Sequence, residues 1–400
     1  MVFINSLVPE LTSKHLLSIF LGFVVFVTTA RLPIQQVFRR PWHLYLFTCI
    51  LLLIPLFLPV QIRGTSRWIP IIGSFRLQPS QIAFALIGIS ISSLTVKFSK
   101  DTAQNIKSTA KQLGLIIIPT LLIAVAPNLG TAVFFFFCMS MIIFFSGIPW
   151  KHIAFLLAGV ICFSYIAWLF LLQPYQKQRI TTFLQPSQAS QNETYNVRQS
   201  LIAIGAGGLS GSGFGKGSQS QLRFLPEKHT DFVFAAFSEE FGFIGSALLV
   251  LIYLVLSLYL LKESYSIQSL EQKYFVLFTS TIVFFQAMIN ISTNIGLLPV
   301  TGITLPFFSY GGTSFIAFGL IFGTAQNCIQ KENRHRKKTF YLTKNNNQTP
   351  KHGCVRDSSE KPAARALAWE DLQRIARPLY RSQKRYKGHA QHIQIILLYE

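Results

Sequence analysis

The chain has 400 residues, of which 50% are hydrophobic and only 13% charged, with 37 phenylalanines and a mean hydropathy of +0.42. This composition excludes an ordinary soluble domain, and apolar runs near the ~20 residues that span a bilayer point to a polytopic membrane protein. The net charge of +21 falls on connectors and the C-terminal tail, and five cysteines without CxxC spacing argue against a zinc site or a disulfide framework.

Nine apolar segments follow in chain order, at about residues 12–30, 42–60, 80–98, 113–127, 131–148, 151–172, 235–261, 273–296 and 312–329. The first is not a cleaved signal peptide, because the 16–29 run is followed by Arg31 and more apolar sequence instead of a small-residue cleavage site. The expected fold is all-α, a transmembrane helical bundle of about nine spans. Arg31, Arg39, Arg40, Lys97, Lys100, Lys107, Lys111, Lys151, Lys262 and Lys273 fall on one side with the basic tail, which makes that side cytoplasmic. The extracytoplasmic side receives the 61–79 loop, a tight turn at 127–130, the 173–234 loop and the 297–311 turn.

The 173–234 loop is far longer than a normal connector and is the functional suspect. It carries Lys177, Arg179, Arg198, Lys216, Arg223 and Lys228 against only Glu193, Glu227 and Asp231. Such a balance suits an anionic substrate such as a phosphate ester, or a solvated face touching lipid headgroups. Seven glycines between Gly205 and Gly217 supply either a flexible turn or a cradle of N–H groups for an anion. The nucleotide pattern GxxxxGK[ST] is not met, since Gly217 follows Lys216.

The loop runs into FLPEKHTDFVFAAFSEEFGFIG at 224–245, where Glu227, Asp231, Glu239 and Glu240 lie close together in a chain poor in acids. Only two aspartates, Asp101 and Asp231, precede residue 331, and Asp101 sits in a Lys-rich connector. Asp231, beside the glycine-rich loop, is the candidate base. Pro226 and Glu227 predict a helix start that would put Glu227 and Asp231 on one face at i, i+4. Glu239 and Glu240 enter the membrane, where acids either face a water-filled cavity or form a structural ion pair.

Several separated motifs resemble the SEDS family of polytopic peptidoglycan polymerases (FtsW/RodA/SpoVE) over about residues 12–330. They are GTSRWI at 64–69, RLQPSQ at 76–81, PNLGTA at 127–132, YQKQRITTFLQP at 175–186, YNVRQSLIAIGAGGLSGSGFGKG at 195–217, FLPEKHTDF from 224 and LLPVTGITLPFFSYGGTS at 297–314. YQKQR and FLPEKHTDF favour the RodA branch, whereas GSGFGKG is closer to FtsW usage.

The resemblance implies a glycosyltransferase of the bacterial cytoplasmic membrane that joins lipid II into glycan on the extracytoplasmic face during cell-wall elongation. Its implied partners are lipid II, membrane lipids and a class B penicillin-binding protein; no nucleic acid is expected. The family's catalytic aspartate falls on Asp231, and motif arginines on Arg67, Arg76 and Arg179. Lys216, Glu227, His229 and Glu240 complete the expected substrate-binding set. Asp231 would take the proton of the attacking sugar hydroxyl, while the leaving pyrophosphate calls for cationic side chains or a divalent cation such as Mg or Mn. No organic cofactor is expected.

Departures from the family pattern occur at Gln81, Phe84 and Asn128, where charged groups are usual, and the family's first helix is expected to be missing. An acid and a base lost together at 81 and 84 would leave no stranded charge. These positions keep a catalytically silent scaffold for the penicillin-binding protein open as a reading, and a lipid II flippase would use the same basic loop and membrane acids. Residues 331–400 hold 16 Lys or Arg against 6 acids, a basic cytoplasmic tail read as disordered or as a helix on anionic lipid.

Overall fold

The structure, a computed structural model, describes residues 7, 12–58, 67–72, 75–101, 106–149, 151–152, 169, 177–178, 181–183, 191–222, 224–225 and 227–346. Most of the 151–172 segment, Arg179, Cys162 and the tail beyond 346, with Cys354, lie outside them.

The expected helical transmembrane bundle is what the chain forms. Its helices are α1 (Thr12–Arg31), α2 (Ile34–Arg39), α3 (Pro41–Phe57), α4 (Pro79–Asp101), α5 (Ile106–Val125), α6 (Leu129–Phe145), α7 (Gln191–Ala206), α8 (Ser218–Gln221), α9 (Val233–Ser266), α10 (Leu270–Asn294) and α11 (Gly312–Asn346). Among the described residues α1, α4, α5, α9 and α10 are long and apolar enough to cross a membrane, and α3 and α6 are shorter apolar helices. A two-stranded antiparallel hairpin, β1 (Ile69–Ile72) with β2 (Phe75–Leu77), pairs Ile69 with Leu77 and Pro70 with Arg76.

Helices α4 and α10 form the centre, each 72% buried across its apolar window, while α1 and α9 are only 22% buried and present Phe20, Phe23, Leu248 and Ile252 outward. Lipid is as apolar as leucine, so close packing between helices depends on small residues. Gly88 of α4 meets the Phe278 ring of α10 so closely that a Cβ there would lie 2.3 Å from it. Between α1 and α11 the same device uses Gly22 and Gly319, and Asn327 then donates to the Thr29, Ala30 and Leu32 carbonyls at the end of α1. Cys138 and Cys328 are buried packing residues.

Helix α9 is broken at Gly242, where φ is 66° and ψ −166°. A break in a membrane helix strands backbone groups that lipid cannot satisfy. The glycine-rich loop satisfies them: Phe243 and Ile244 donate to the Gly208 and Leu209 carbonyls, and Glu239 and Glu240 carbonyls accept from Ser212 and Gly213. Glycine is required because the two backbones touch. A Cβ on Gly207 would lie 2.1 Å from the Ser238 carbonyl, and one on Gly211 would lie 2.2 Å from that of Glu240. The stretch is therefore a packed segment and not a flexible turn, with the Ser212 and Gly213 N–H groups spent on α9.

Candidate functional site

The four connections assigned to one side of the membrane converge at one end of the bundle around a cleft of about 1240 Å³. Its rim is polar, formed by Arg67, Gln81, Asn128, Glu227, Asp231 and Tyr310. Below the rim Val133, Phe134, Phe137, Phe285 and Ile289 make an apolar wall, with the Phe137 and Phe285 rings packed edge to face at 4.7 Å. The cavity therefore combines two carboxylates and a guanidinium with an apolar trough.

Asp231 reaches the cleft on a turn, which corrects the expected helix start at Pro226 and Glu227. Residues 227–232 are turn and α9 begins only at Val233. Glu227 adopts a left-handed φ of 50°, so its carbonyl folds inward to accept from Thr230 at 3.0 Å and Phe232 at 3.3 Å, and its carboxylate accepts from the Thr230 hydroxyl at 3.1 Å. Glu227 and Asp231 still line one cavity, through a tight turn instead of a helix face. From the 303–311 loop, Ser309 donates to the Thr230 carbonyl at 2.7 Å and Tyr310 N–H to that of His229 at 2.8 Å. Burial pushes the Tyr310 phenol above its usual range, so its hydroxyl stays protonated at the rim.

Arg67 sits just before β1, where its guanidinium donates to the Pro127 carbonyl and so joins the hairpin to the turn that opens α6. The Thr313 hydroxyl clamps the hairpin's exit, donating to the Arg76 carbonyl and accepting from Gln78 N–H, both at 3.0 Å. Arg76 is exposed and is not part of the cleft lining. Lys216 is exposed on the glycine loop, likewise outside the lining. His229 stands one layer back, its ring 5.8 Å from that of Tyr310.

Glu239 and Glu240 are each 1% exposed and lie behind the glycine loop, not on the cleft. Glu239 caps the short α8 turn: one oxygen accepts from Gln219 N–H at 2.7 Å and the Ser218 hydroxyl at 3.3 Å, the other from Ser220 N–H at 2.9 Å. Its partners are two backbone N–H groups and one hydroxyl, so Glu239 serves as a cap on the turn and does not line the cleft. Lys228, also buried, donates to the Ser220 carbonyl on the same turn.

Gln81 and Asn128 both line the cleft. Phe84 lies deeper, its ring 5.5 Å from Phe134 and 5.0 Å from Phe135, where it extends the aromatic floor. Among the described residues no group of three or more His, Cys, Asp or Glu side chains could hold a metal ion unaided.

Fold and site together define a multi-pass membrane protein with a cleft lined by both charged and apolar side chains. The chain belongs to the FtsW/RodA/SpoVE family, described as cell cycle protein, whose profile matches residues 6–334. It is similar to peptidoglycan glycosyltransferase MrdB of Escherichia coli K12, 36% identical over 322 residues that cover 79% of this chain and 84% of that protein. It is also similar to the probable peptidoglycan glycosyltransferase FtsW of Wigglesworthia glossinidia brevipalpis, 34% identical over 76% of this chain and 79% of that one. Among solved structures, a chain from a peptidoglycan synthase complex that coordinates polymerization and crosslinking superposes with a TM-score of 0.70, 25% identity and coverage of 83% and 94%. Thermus thermophilus RodA does so at 0.61, with 25% identity and coverage of 83% and 92%.

Proposed function

We propose that this chain is a peptidoglycan glycosyltransferase that polymerises lipid II into glycan strands for cell-wall elongation. The observation that carries the reading is the placement of Asp231 and Arg67 on one rim above an apolar wall. A prenyl tail would lie along Phe137, Phe285 and Ile289 while the pyrophosphate and sugars occupy the rim. Asp231 accepts the proton of the acceptor hydroxyl as it attacks the anomeric carbon, a step in which a positioned base typically contributes ~10²–10⁴-fold. Arg67 offsets charge on the departing pyrophosphate, and protonated Tyr310 is a second donor at the same rim. Magnesium usually binds through one or two carboxylates together with substrate phosphates. If such a cation accompanies the pyrophosphate, Glu227 would hold it and the ion would supply further charge neutralisation.

The cleft faces outward across the bacterial cytoplasmic membrane in this reading, in agreement with the loop charges, and a class B penicillin-binding protein cross-links the product. The test is to reconstitute the purified chain with labelled lipid II, with and without that partner, and to resolve products by gel. A ladder of glycan lengths supports the proposal. Transbilayer movement of lipid II without polymer would favour a flippase, and neither activity in the presence of the partner would favour a scaffold.

A further inference from the structure

A polar stripe runs through the otherwise apolar α10. Gln286, Asn290 and Asn294 recur every four residues and so lie one above another, and all are buried, Asn290 at 1% and Asn294 at 0% exposure. An amide inside a bundle is costly unless paired. Asn290 Nδ2 donates to the Asp231 carbonyl at 3.1 Å and to the Ile303 carbonyl at 2.8 Å. Asn294 Nδ2 donates to the same Asp231 carbonyl at 3.0 Å, while its Oδ1 accepts from Ala235 N–H at 3.0 Å. One turn away, Gln286 Nε2 donates to the Thr304 carbonyl at 2.9 Å. Carbonyl oxygens only accept, so these partners fix which end of each amide faces which group.

We infer that Asn290 and Asn294 are positioning residues that hold the Asp231 peptide so that its carboxylate faces the cleft, an inference that rests on Asp231 being the proton acceptor. Two donors converge on one carbonyl, and the second hydrogen of Asn290 ties that turn to Ile303 of the cleft lining. The turn needs this restraint, because it is held in a left-handed conformation at Glu227 that is strained for a non-glycine residue and persists only when its surroundings over-determine it. Neither asparagine lines the cleft, so losing one displaces the base without removing a substrate contact.

The test compares wild type with Asn290→Leu and Asn294→Leu, each full-length and each shown monodisperse by gel filtration, with Asn290→Ser as the milder variant should a leucine fail to fold. Misplacement of ~1 Å can cost ~100-fold in rate, so polymerisation at saturating lipid II should fall ~10–100-fold. The half-saturating lipid II concentration should stay within about threefold, the pattern of an interaction felt in the transition state. Hydrogen exchange across 227–232 should speed up about tenfold, as loss of a bond worth ~1.4 kcal/mol implies, with α4 unchanged. Unchanged exchange across 227–232 would overturn the inference whatever the activity, and faster exchange with an undiminished rate would reduce the pair to scaffolding. A wild type that makes no glycan refutes the glycosyltransferase reading instead, and the exchange comparison still decides whether the amides hold the turn.

Discussion

Gly208 and Gly211 offer a matched pair of perturbations to the loop that closes the α9 break. Both have left-handed φ, 51° and 84°, yet a Cβ on Gly208 would meet nothing within 4 Å whereas one on Gly211 would lie 2.2 Å from the Glu240 carbonyl. Alanine at either position carries the left-handed penalty of ~1–2 kcal/mol. At 211 the backbones must also separate, which puts at risk the Ser212 to Glu239 and Gly213 to Glu240 hydrogen bonds, each worth ~1 kcal/mol net and more when the groups stay buried. Gly208→Ala should therefore cost ~1–2 kcal/mol and Gly211→Ala ~3–5 kcal/mol. Thermal unfolding in one detergent, followed by intrinsic fluorescence, compares the two directly. Equal losses of melting temperature would refute the argument, because they would mean that the loop does not press on α9.

Glu239→Ala strands one buried and one part-buried N–H group of α8 and should destabilise by ~2–4 kcal/mol, whereas Glu239→Gln, which retains an acceptor, should cost less; melting curves of the two variants check this. Arg67→Gln should lower polymerisation ~10–100-fold by removing charge at the leaving group, and Arg67→Lys should fall between that variant and wild type in a lipid II turnover assay. Cysteines placed at Leu209 and at Asn333 in a cysteine-free background should differ in intact cells, with only position 209 labelled by an impermeant thiol reagent. Labelling of position 333 alone would reverse the orientation.

What could be read from the chain tracks how local the cause is. Spans such as α4 and α10 are legible because bilayer thickness sets a run length that any apolar segment must meet. The place of Asp231 on the cleft is legible through scarcity, since an acid beside a long loop in an acid-poor chain has few structural uses. The turn at 227–232 was hidden because Pro226 and Glu227 carry the local signature of a helix start, and the left-handed Glu227 is imposed by loops distant in sequence. Glycines at 207 and 211 gave no clue to their role, which depends on what approaches them. The hairpin at 69–77 is too short to show a period. Gln286, Asn290 and Asn294 did leave a signal, three amides on one face of an apolar helix, but their partners are main-chain carbonyls that carry no residue identity.

The central claim is that Asp231 is the group that takes the proton in glycan polymerisation, and Asp231→Asn addresses it most directly. The substitution keeps the shape of the side chain and leaves the carbonyl held by Asn290 and Asn294 in place, so folding, insertion and lipid II binding should persist. Chain formation from labelled lipid II, followed by gel against wild type, should fall at least ~100-fold. Polymer made at a near wild-type rate by a folded Asp231→Asn protein would contradict the account.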